Sequence, residues 1–232
     1  MRELFLLLRK DFERIWKFYL GFSLAYVVAL ATMAIYRRPE YIVLDIQQWT
    51  FVFSIVLMGG VAISTTVDER RRKTILVLLS LPVSLRDVVF SKFILQLFVG
   101  PGTYIILYLS SGVAVRTLYG INVFVPAPYV VHIVSGMVLL SGILIGCIFL
   151  FRPVVGYLVP MVGSVLLPML GIVLGGLAEE RWNVDLSELL LQSLANPTAA
   201  YLGLLGSLVV FCLLVELTWR ILIRKDPTEL AT

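Results

Sequence analysis

Charged residues are scarce in this 232-residue chain, and their scarcity excludes a soluble globular protein. Charged side chains make up 15% of the sequence and apolar ones 59%, whereas an average soluble domain carries about 25% charged residues. Apolar runs long enough to cross a hydrocarbon core of about 30 Å recur along the whole chain. The runs are continuous and lack the alternation of apolar and polar residues that is typical of membrane β-strands. We therefore expect an all-α integral membrane protein, because helices satisfy their own backbone hydrogen bonds in lipid.

Residues that bind metals or act as activated nucleophiles are also few. The chain contains one histidine, His132, and two cysteines, Cys147 and Cys212, and all three fall in apolar runs. A lone histidine without a cysteine pair does not make a zinc site, and the chain has no G-x-S-x-G motif. The sequence therefore predicts neither a catalytic residue nor a metal ligand.

A phosphate-binding loop is missing as well, since no stretch follows the pattern G-x-x-x-x-G-K-[ST]. We expect no cofactor bound by this chain. The net charge of +4 arises from basic residues placed between the apolar runs, so it indicates contact with anionic lipid head groups rather than a nucleic-acid partner.

Six apolar runs are predicted to be transmembrane helices. They follow an amphipathic segment, residues 1–17, in which apolar and basic side chains take opposite helix faces. We expect this segment to lie as an interfacial helix in the head-group plane; a solvated extension of the first span is the alternative. The predicted spans are Phe18–Tyr36, Trp49–Thr66, Phe90–Val115, Tyr129–Phe151, Val154–Leu177 and Tyr201–Ile223.

The basic residues predict the orientation, because they stay on the cytoplasmic side of short loops. With the N terminus inside, residues 67–84 form a cytoplasmic segment, residues 178–200 lie outside, and the C terminus returns to the inside. Only four of the 19 Lys and Arg residues then fall outside, namely Arg37, Arg38, Arg116 and Arg181.

The fifth span is rich in proline and glycine, which bend helices or let them approach closely. We predict that it lines a translocation pathway or a dimer seam. Ordinary packing inside one subunit is the alternative. Gly142 and Gly146 in the fourth span are open to the same two interpretations. The candidate residues of the fifth span are Pro160, Gly163, Pro168, Gly171 and Gly175.

Glu216 is the only acidic residue within a predicted span. Arg220 follows four residues later on the same helix face, near the inner interface. An ion pair between them that reaches toward water is the favoured interpretation. A substrate or proton site is the alternative, because ionisable groups inside a span are often functional.

The cytoplasmic segment has the most specific pattern in the chain. A charged stretch at 68–73 is followed by a short apolar helix that Pro82 ends. Ser84 and Asp87 predict a capping box at the start of the third span. The short helix cannot cross the bilayer, so its apolar face is expected to bind a groove on a partner protein; that face contains Ile75, Leu78 and Leu79.

This segment resembles a loop in the permease subunits of type 2 ABC exporters. In that family the loop follows the pattern E-x-x-R-x-G-T-L-E-x-L-L-x-x-P-[VI]-S-R-x-E, with a lysine after it. Lys73, Leu76 and Leu85 depart from the pattern, where Gly, Glu and Arg are usual. The chain has one residue fewer than the pattern between Arg72 and Thr74. With that gap, the matching residues are Glu69, Arg72, Thr74, Leu78, Leu79, Pro82, Val83, Ser84, Asp87 and Lys92.

The resemblance implies that the chain is the permease subunit of an ATP-driven exporter in a prokaryotic plasma membrane. Two separate ATPase subunits, carrying ATP and magnesium, and a second permease subunit would complete the transporter. Residues 178–200 would form an outer re-entrant segment, and Asn196-Pro197 is similar to a dipeptide found before the last span of the family. The implied ATPase-coupling residues are Glu69, Arg70, Arg72, Thr74, Ile75, Leu78, Leu79 and Pro82.

Two other functions stay open from the sequence. A non-transporting membrane scaffold or sensor would use the same segment to recruit a soluble partner, and only ATP-dependent movement of a substrate distinguishes it from an exporter. An intramembrane hydrolase would have to use carboxylates such as Glu179, Glu180 and Asp185 without help from histidine. The sequence does not identify the substrate.

Overall fold

The computed structural model describes residues 2–36, 39–71, 84–120, 124–151, 155–163 and 194–224. Nearly all of these residues are helical and none of them lies in a strand, so the all-α prediction is confirmed for this part of the chain. We number the helices in chain order. They are α1 (Arg2–Tyr36), α2 (Pro39–Ala62), α3 (Asp68–Arg71), α4 (Leu85–Leu97), α5 (Thr103–Tyr119), α6 (Ala127–Leu150) and α7 (Pro197–Leu222).

Four helical stretches are long and apolar enough to cross a membrane, which identifies a multi-pass membrane protein. They lie close to the predicted second, third, fourth and sixth spans. The first predicted span falls within α1. Residues 155–163 of the fifth are helical, and the remainder of it lies outside the described residues. The four stretches are Trp49–Val67, Leu85–Thr117, Ala127–Leu150 and Pro197–Leu222.

Helix α1 is a single continuous helix of 35 residues. It joins the predicted interfacial helix and the predicted first span without a break. A continuous helix is what the alternative interpretation expects, in which residues 1–17 extend the first span. Ile15 is buried, whereas Phe5, Phe12 and Trp16 expose 67%, 47% and 44% of their surface. Exposed aromatic side chains favour contact with lipid over water, which agrees with an interfacial position for residues 1–17. That position stays a prediction.

Two π-helical turns occur within the described spans, Ile63–Val67 after α2 and Phe98–Gly102 between α4 and α5. The second contains Pro101, which has no N–H to donate to the preceding turn. The wider π turn lets the helix continue past this residue, so α4 and α5 form one span. The first π turn contains no proline and borders the cluster of charges described below.

Contacts along the helices define their relative directions. α1 runs parallel to α4 and α5, whereas α2 is antiparallel to α1. The defining pairs are Asp11 with Lys92 and Tyr19 with Thr103 for the parallel helices, and Lys10 with Glu69 and Tyr26 with Thr50 for the antiparallel pair.

Helices α6 and α7 pack closely and in parallel. The glycines of α6 provide the space, because a Cβ atom on Gly142 would lie 2.9 Å from the Phe211 ring. Gly142 and Gly146 therefore serve packing inside one subunit, as in the alternative given above. The contacts, in order along both helices, are Ser135 Oγ to the Gly203 carbonyl at 3.0 Å, Gly142 to Phe211, and Gly146 to Thr218.

Side-chain oxygens cap two of the helices. Ser84 Oγ accepts a hydrogen bond from the Asp87 N–H at 3.1 Å at the start of α4, which confirms the predicted cap. Asn196 accepts from the N–H groups of Thr198 and Ala199 at the start of α7. Pro197 is the first residue of that helix, where its missing N–H costs nothing.

The chain reverses direction after α6. Residues 155–163 are helical and return along α6, with Gly156 facing the backbone of Cys147 and Ile148. A Cβ atom on Gly156 would lie 2.7 Å from Ile148 Cα. Glycine is therefore required at this position, because a backbone neighbour cannot rotate away as a side chain can.

Substitution of Gly156 by alanine is expected to destabilise the protein by about 1–3 kcal/mol through overpacking. Gly163→Ala is the matched control, because a Cβ atom there meets no atom within 4 Å. Thermal unfolding of the purified chain in detergent measures both. Equal midpoints for the two variants would contradict the close approach of the helix over 155–163 to α6.

Candidate functional site: a buried cluster of charges

Lys92 is buried where α1, the end of α2 and α4 meet. It exposes 2% of its surface. Its Nζ atom donates to both carboxylate oxygens of Asp11, at 2.9 and 2.8 Å, and to the main-chain carbonyl of Thr65 at 2.8 Å. Glu69 Oε2 lies 2.8 Å from the same nitrogen. An ammonium group has three hydrogens to donate, and here they reach three different segments of the chain.

The two carboxylates around Lys92 are equally inaccessible. Asp11 exposes 1% of its surface and Glu69 exposes 4%. A buried charge is tolerated only when it is paired and hydrogen-bonded. Lys10 supplies a second positive charge, because its Nζ lies 2.8 Å from Glu69 Oε1. Two ammonium groups, that of buried Lys92 and that of Lys10, whose side chain is 41% exposed, therefore balance the two buried carboxylates. We call Asp11, Glu69, Lys92 and Lys10 the charge cluster.

A second layer of charges lies at the rim of the charge cluster. The Arg14 guanidinium is 3.7 Å from Glu69 Oε1 and 3.6 Å from Asp68 Oδ2. Arg14 and Asp68 are about one-third exposed, so solvent weakens this pair. The rim places a positive charge near the cluster and attaches the start of α3 to α1 at a second point.

Burial and the two lysines act in opposite directions on the Glu69 carboxyl. Burial, the largest single influence, acts to raise the pKa of Glu69. The Lys92 charge and the hydrogen bonds from Lys10 and Lys92 together outweigh burial, and the pKa lies below its usual value. Glu69 is therefore ionised at neutral pH, as the cluster requires.

The π turn after α2 brings a main-chain group into the same site. A π turn changes the hydrogen-bond register of a helix, and in this one the Thr65 carbonyl accepts a hydrogen bond from Lys92. The side chain of Thr65 turns away and bonds the Val61 carbonyl at 2.7 Å. The shape of the helix end is thus linked directly to the position of α4.

The charge cluster is suited to hold and move segments rather than to carry out a reaction. It contains no nucleophile poised beside a base. Within the part of the chain that the structure describes, no group of three His, Cys, Asp or Glu residues could hold a metal ion. Glu69 lies in α3, and Lys92 lies in α4, the next helix that the structure describes. The cluster therefore joins α3 to α1 and α4.

The predicted coupling residues divide between described and undescribed parts of the chain. Glu69 turns its carboxylate inward to Lys92. Arg70 belongs to α3. The others lie outside the described residues, namely Arg72, Thr74, Ile75, Leu78, Leu79 and Pro82.

The remaining predicted sites fall elsewhere in the molecule. Arg220 Nε lies 2.8 Å from Glu216 Oε1 in an exposed pair on α7, as expected for the local ion pair. Pro160 and Gly163 line a cavity beside α6. Beyond the described residues lie Pro168, Gly171 and Gly175, the acidic residues Glu179, Glu180 and Asp185, and most of the outer segment 178–200.

Sequence reasoning missed Asp11, the residue that completes the charge cluster. The pattern did contain a clue, because Asp11 follows Leu8 by three residues and precedes Ile15 by four. It therefore lies in the stripe that a helix buries. Lys92 matches the family pattern, and it too interrupts a buried face, between Val88 and Leu95.

Comparison with protein families identifies a family that matches the chain. A family described as "ABC-2 family transporter protein" matches residues 6–223, which is nearly the whole chain. No match was found among curated proteins or among solved structures.

Replacement of Lys92 by methionine is expected to lower the free energy of unfolding by about 3–5 kcal/mol, because two buried carboxylates lose their shared partner. Arg220→Met is the matched control. It breaks an ion pair of the same 2.8 Å length that is 68% exposed on the arginine side, so its expected cost is about 0–1 kcal/mol.

Chemical denaturation in detergent measures both variants. The double variant Asp11→Leu, Lys92→Met removes one carboxylate together with the ammonium and should recover part of the loss. A loss for Lys92→Met no larger than that for Arg220→Met would contradict a buried cluster.

The pKa of Glu69 predicts how stability depends on pH. Because this pKa is lowered in the folded state, the carboxylate contributes its full stabilisation above the usual value of 4.5 and loses it as the pH falls further. The stability difference between the wild type and Glu69→Gln should therefore stay constant from pH 7 to about 4.5 and shrink below that. A difference that disappears between pH 7 and 5 would argue against the lysine contacts.

Proposed function

Because this chain belongs to the ABC-2 family of transporter proteins, we propose that it is the permease subunit of an ATP-driven exporter. In this proposal it forms a translocation pathway with a second permease subunit. Separate ATPase subunits, two for each transporter, bind ATP and magnesium and dock on the cytoplasmic segment 67–84. The proposed location is a prokaryotic plasma membrane.

The directions of the helices support six spans with both termini on the same side of the membrane, and the distribution of basic residues is the reason for proposing the inside. Helices α6 and α7 are parallel neighbours, each long enough to cross the membrane. The chain leaves α6 at one end of the pair and enters α7 at the other, which supports the proposal of a fifth span between them. The helix over 155–163 already returns along α6, which is the direction that a fifth span requires.

The charge cluster is the observation that carries the proposal. A permease has to convert a movement at its cytoplasmic surface into a movement of its spans, which needs a firm attachment between the two. Glu69 begins the segment expected to contact the ATPase, and it is tied to α4 through Lys92 and to α1 through Lys10. Removal of either partner of such a buried pair is costly, so the three helices move together.

The remaining parts of the proposal come from the sequence pattern. The apolar face of the short helix, with Leu78 and Leu79, is proposed to enter a groove on the ATPase. The fifth span is proposed to line the pathway or the seam between two permeases through Pro160, Gly163, Pro168, Gly171 and Gly175. Two of these, Pro160 and Gly163, border a cavity in the structure.

Capture of the chain from mildly solubilised native membranes tests the proposal. Quantitative mass spectrometry should find a nucleotide-binding ATPase in equal amount. Leu78→Asp is expected to reduce its recovery at least tenfold, which corresponds to about 1.4 kcal/mol of binding free energy, because a charge then enters an apolar interface.

Leu76→Asp is the matched control, since the family pattern carries an acidic residue at that position. Thermal unfolding of both variants checks that the membrane fold is retained. Absence of any ATPase, or equal recovery with both variants, would count against the exporter and favour a scaffold without an ATPase.

A further inference from the structure

A groove of about 390 Å³ lies between the first turns of α1 and the C-terminal part of α4. We call it the α1–α4 groove. Among the described residues that line it, Arg9 carries a charge and the others are apolar. The α1 wall consists of Phe5, Leu8, Arg9 and Phe12, and the α4 wall consists of Ile94, Leu95 and Phe98, the last of which begins the π turn after α4.

The α1–α4 groove opens toward the hydrocarbon of the membrane. Ile94 and Phe98 expose 38% and 50% of their surface, and both lie in the stretch Leu85–Thr117 that is long and apolar enough to cross the bilayer. Exposed apolar side chains on such a span contact lipid tails. Phe5 and Phe12 are exposed on the opposite wall, so an acyl chain that enters the groove meets apolar surface on both sides.

The register of the two helices places the charge at one end of the α1–α4 groove. The helices are parallel and Asp11 pairs with Lys92, so Arg9 lies about level with Phe90, where the predicted third span begins. The apolar wall continues from there toward the middle of the span as far as Phe98. Eight residues of helix correspond to roughly 12 Å. A positive charge at the start of a span and an apolar wall directed inward match the order of phosphate and acyl chain in a phospholipid.

The Arg9 guanidinium is accessible to an anion. Its Nε atom donates to Glu13 Oε1 at 2.7 Å, and both side chains are more than 60% exposed, so solvent weakens this pair. A guanidinium has five N–H donors, and one bond to Glu13 leaves others that can bind a phosphate through two parallel hydrogen bonds. The first 17 residues contain five basic and three acidic side chains, so the surroundings of Arg9 also favour an anion.

We propose that the α1–α4 groove binds an anionic phospholipid, with one acyl chain between the two helices and the phosphate paired with Arg9. Such a lipid contacts both α1 and α4, which the charge cluster joins. Binding requires neither an ATPase nor a second permease subunit. The proposal therefore goes beyond the exporter function, and each of the two can fail without the other.

Photolabelling tests the proposal on the purified full chain in phosphatidylcholine nanodiscs. The probe is a small fraction of phosphatidylglycerol or of phosphatidylcholine, each with a diazirine on the same acyl chain. Mass spectrometry is expected to find the label on Ile94 and Phe98. The phosphatidylglycerol probe should label them about fivefold more than the phosphatidylcholine probe, the size expected for one basic side chain beside an anionic head group.

An arginine variant tests the phosphate contact. Arg9→Gln should lower labelling by phosphatidylglycerol to the level of phosphatidylcholine and leave labelling by phosphatidylcholine unchanged. Arg220→Gln is the matched control, because Arg220 also forms an exposed pair with a glutamate four residues away, at 2.8 Å. It does not line the groove, so it should keep the fivefold preference.

A filling variant tests the place of the acyl chain. Ile94→Trp occupies part of the α1–α4 groove, and labelling of Phe98 by both probes should fall at least fivefold. Ile105→Trp is the matched control, because Ile105 is also 38% exposed in the same span and does not line the groove. Thermal unfolding should show that all four variants fold.

Three results would overturn the proposal. Equal labelling of the groove by the two probes, or the same loss of preference in Arg9→Gln and Arg220→Gln, would exclude the phosphate contact and with it the anionic lipid. Labelling of Phe98 that Ile94→Trp leaves unchanged would place the acyl chain outside the groove. Groove residues that neither probe labels would exclude a lipid there, as expected if a second permease subunit covered the groove.

Discussion

A buried ammonium group imposes the strictest condition on this structure. Lys92 exposes 2% of its surface, and a positive charge in such a place persists only with anions in hydrogen-bond contact. The chain supplies these from two distant parts, Asp11 on α1 and Glu69 at the end of the second span. Because the loss of either carboxylate would take away one of the two anions that contact the buried ammonium, the positions of α1, α3 and α4 depend on one another.

This dependence has particular weight in a membrane protein. Lipid tails are as apolar as leucine, so the hydrophobic effect does little to choose one helix arrangement over another. Polar contacts and close glycine packing must make the choice. Farther along the helices, Tyr19 pairs with Thr103, and Gln96 donates to the Met58 carbonyl at 2.8 Å. Together with the charge cluster, such contacts set the register of α1, α2 and α4.

The sequence predicted the features that depend on neighbouring residues and missed those that depend on distant ones. Local apolar runs located the four spans that the structure describes, and the spacing of Ser84 and Asp87 predicted the cap of α4. The pairing of Asp11 with Lys92 joins residues 81 positions apart, and no local pattern determines it. The π turns and the cavity arise from the packing of several helices. Whether Gly142 served packing or a dimer seam was open from the sequence, because only the position of Phe211 decides it.

Helix α2 connects the charge cluster with the cavity beside α6. One part of the helix lines the cavity with Phe51 and Ile55, and the π turn at its C-terminal end offers the Thr65 carbonyl to Lys92. From Ile55 to Thr65 is roughly 15 Å of continuous helix. A helix of this length moves as a rigid element, and packed interfaces switch between discrete arrangements rather than deform gradually. Under the proposed function, a displacement of the cytoplasmic segment by an ATPase would reach the cavity wall through α2. In this proposal the movement of the segment would first act on the charge cluster, because Glu69 is paired with Lys92 of α4 at 2.8 Å.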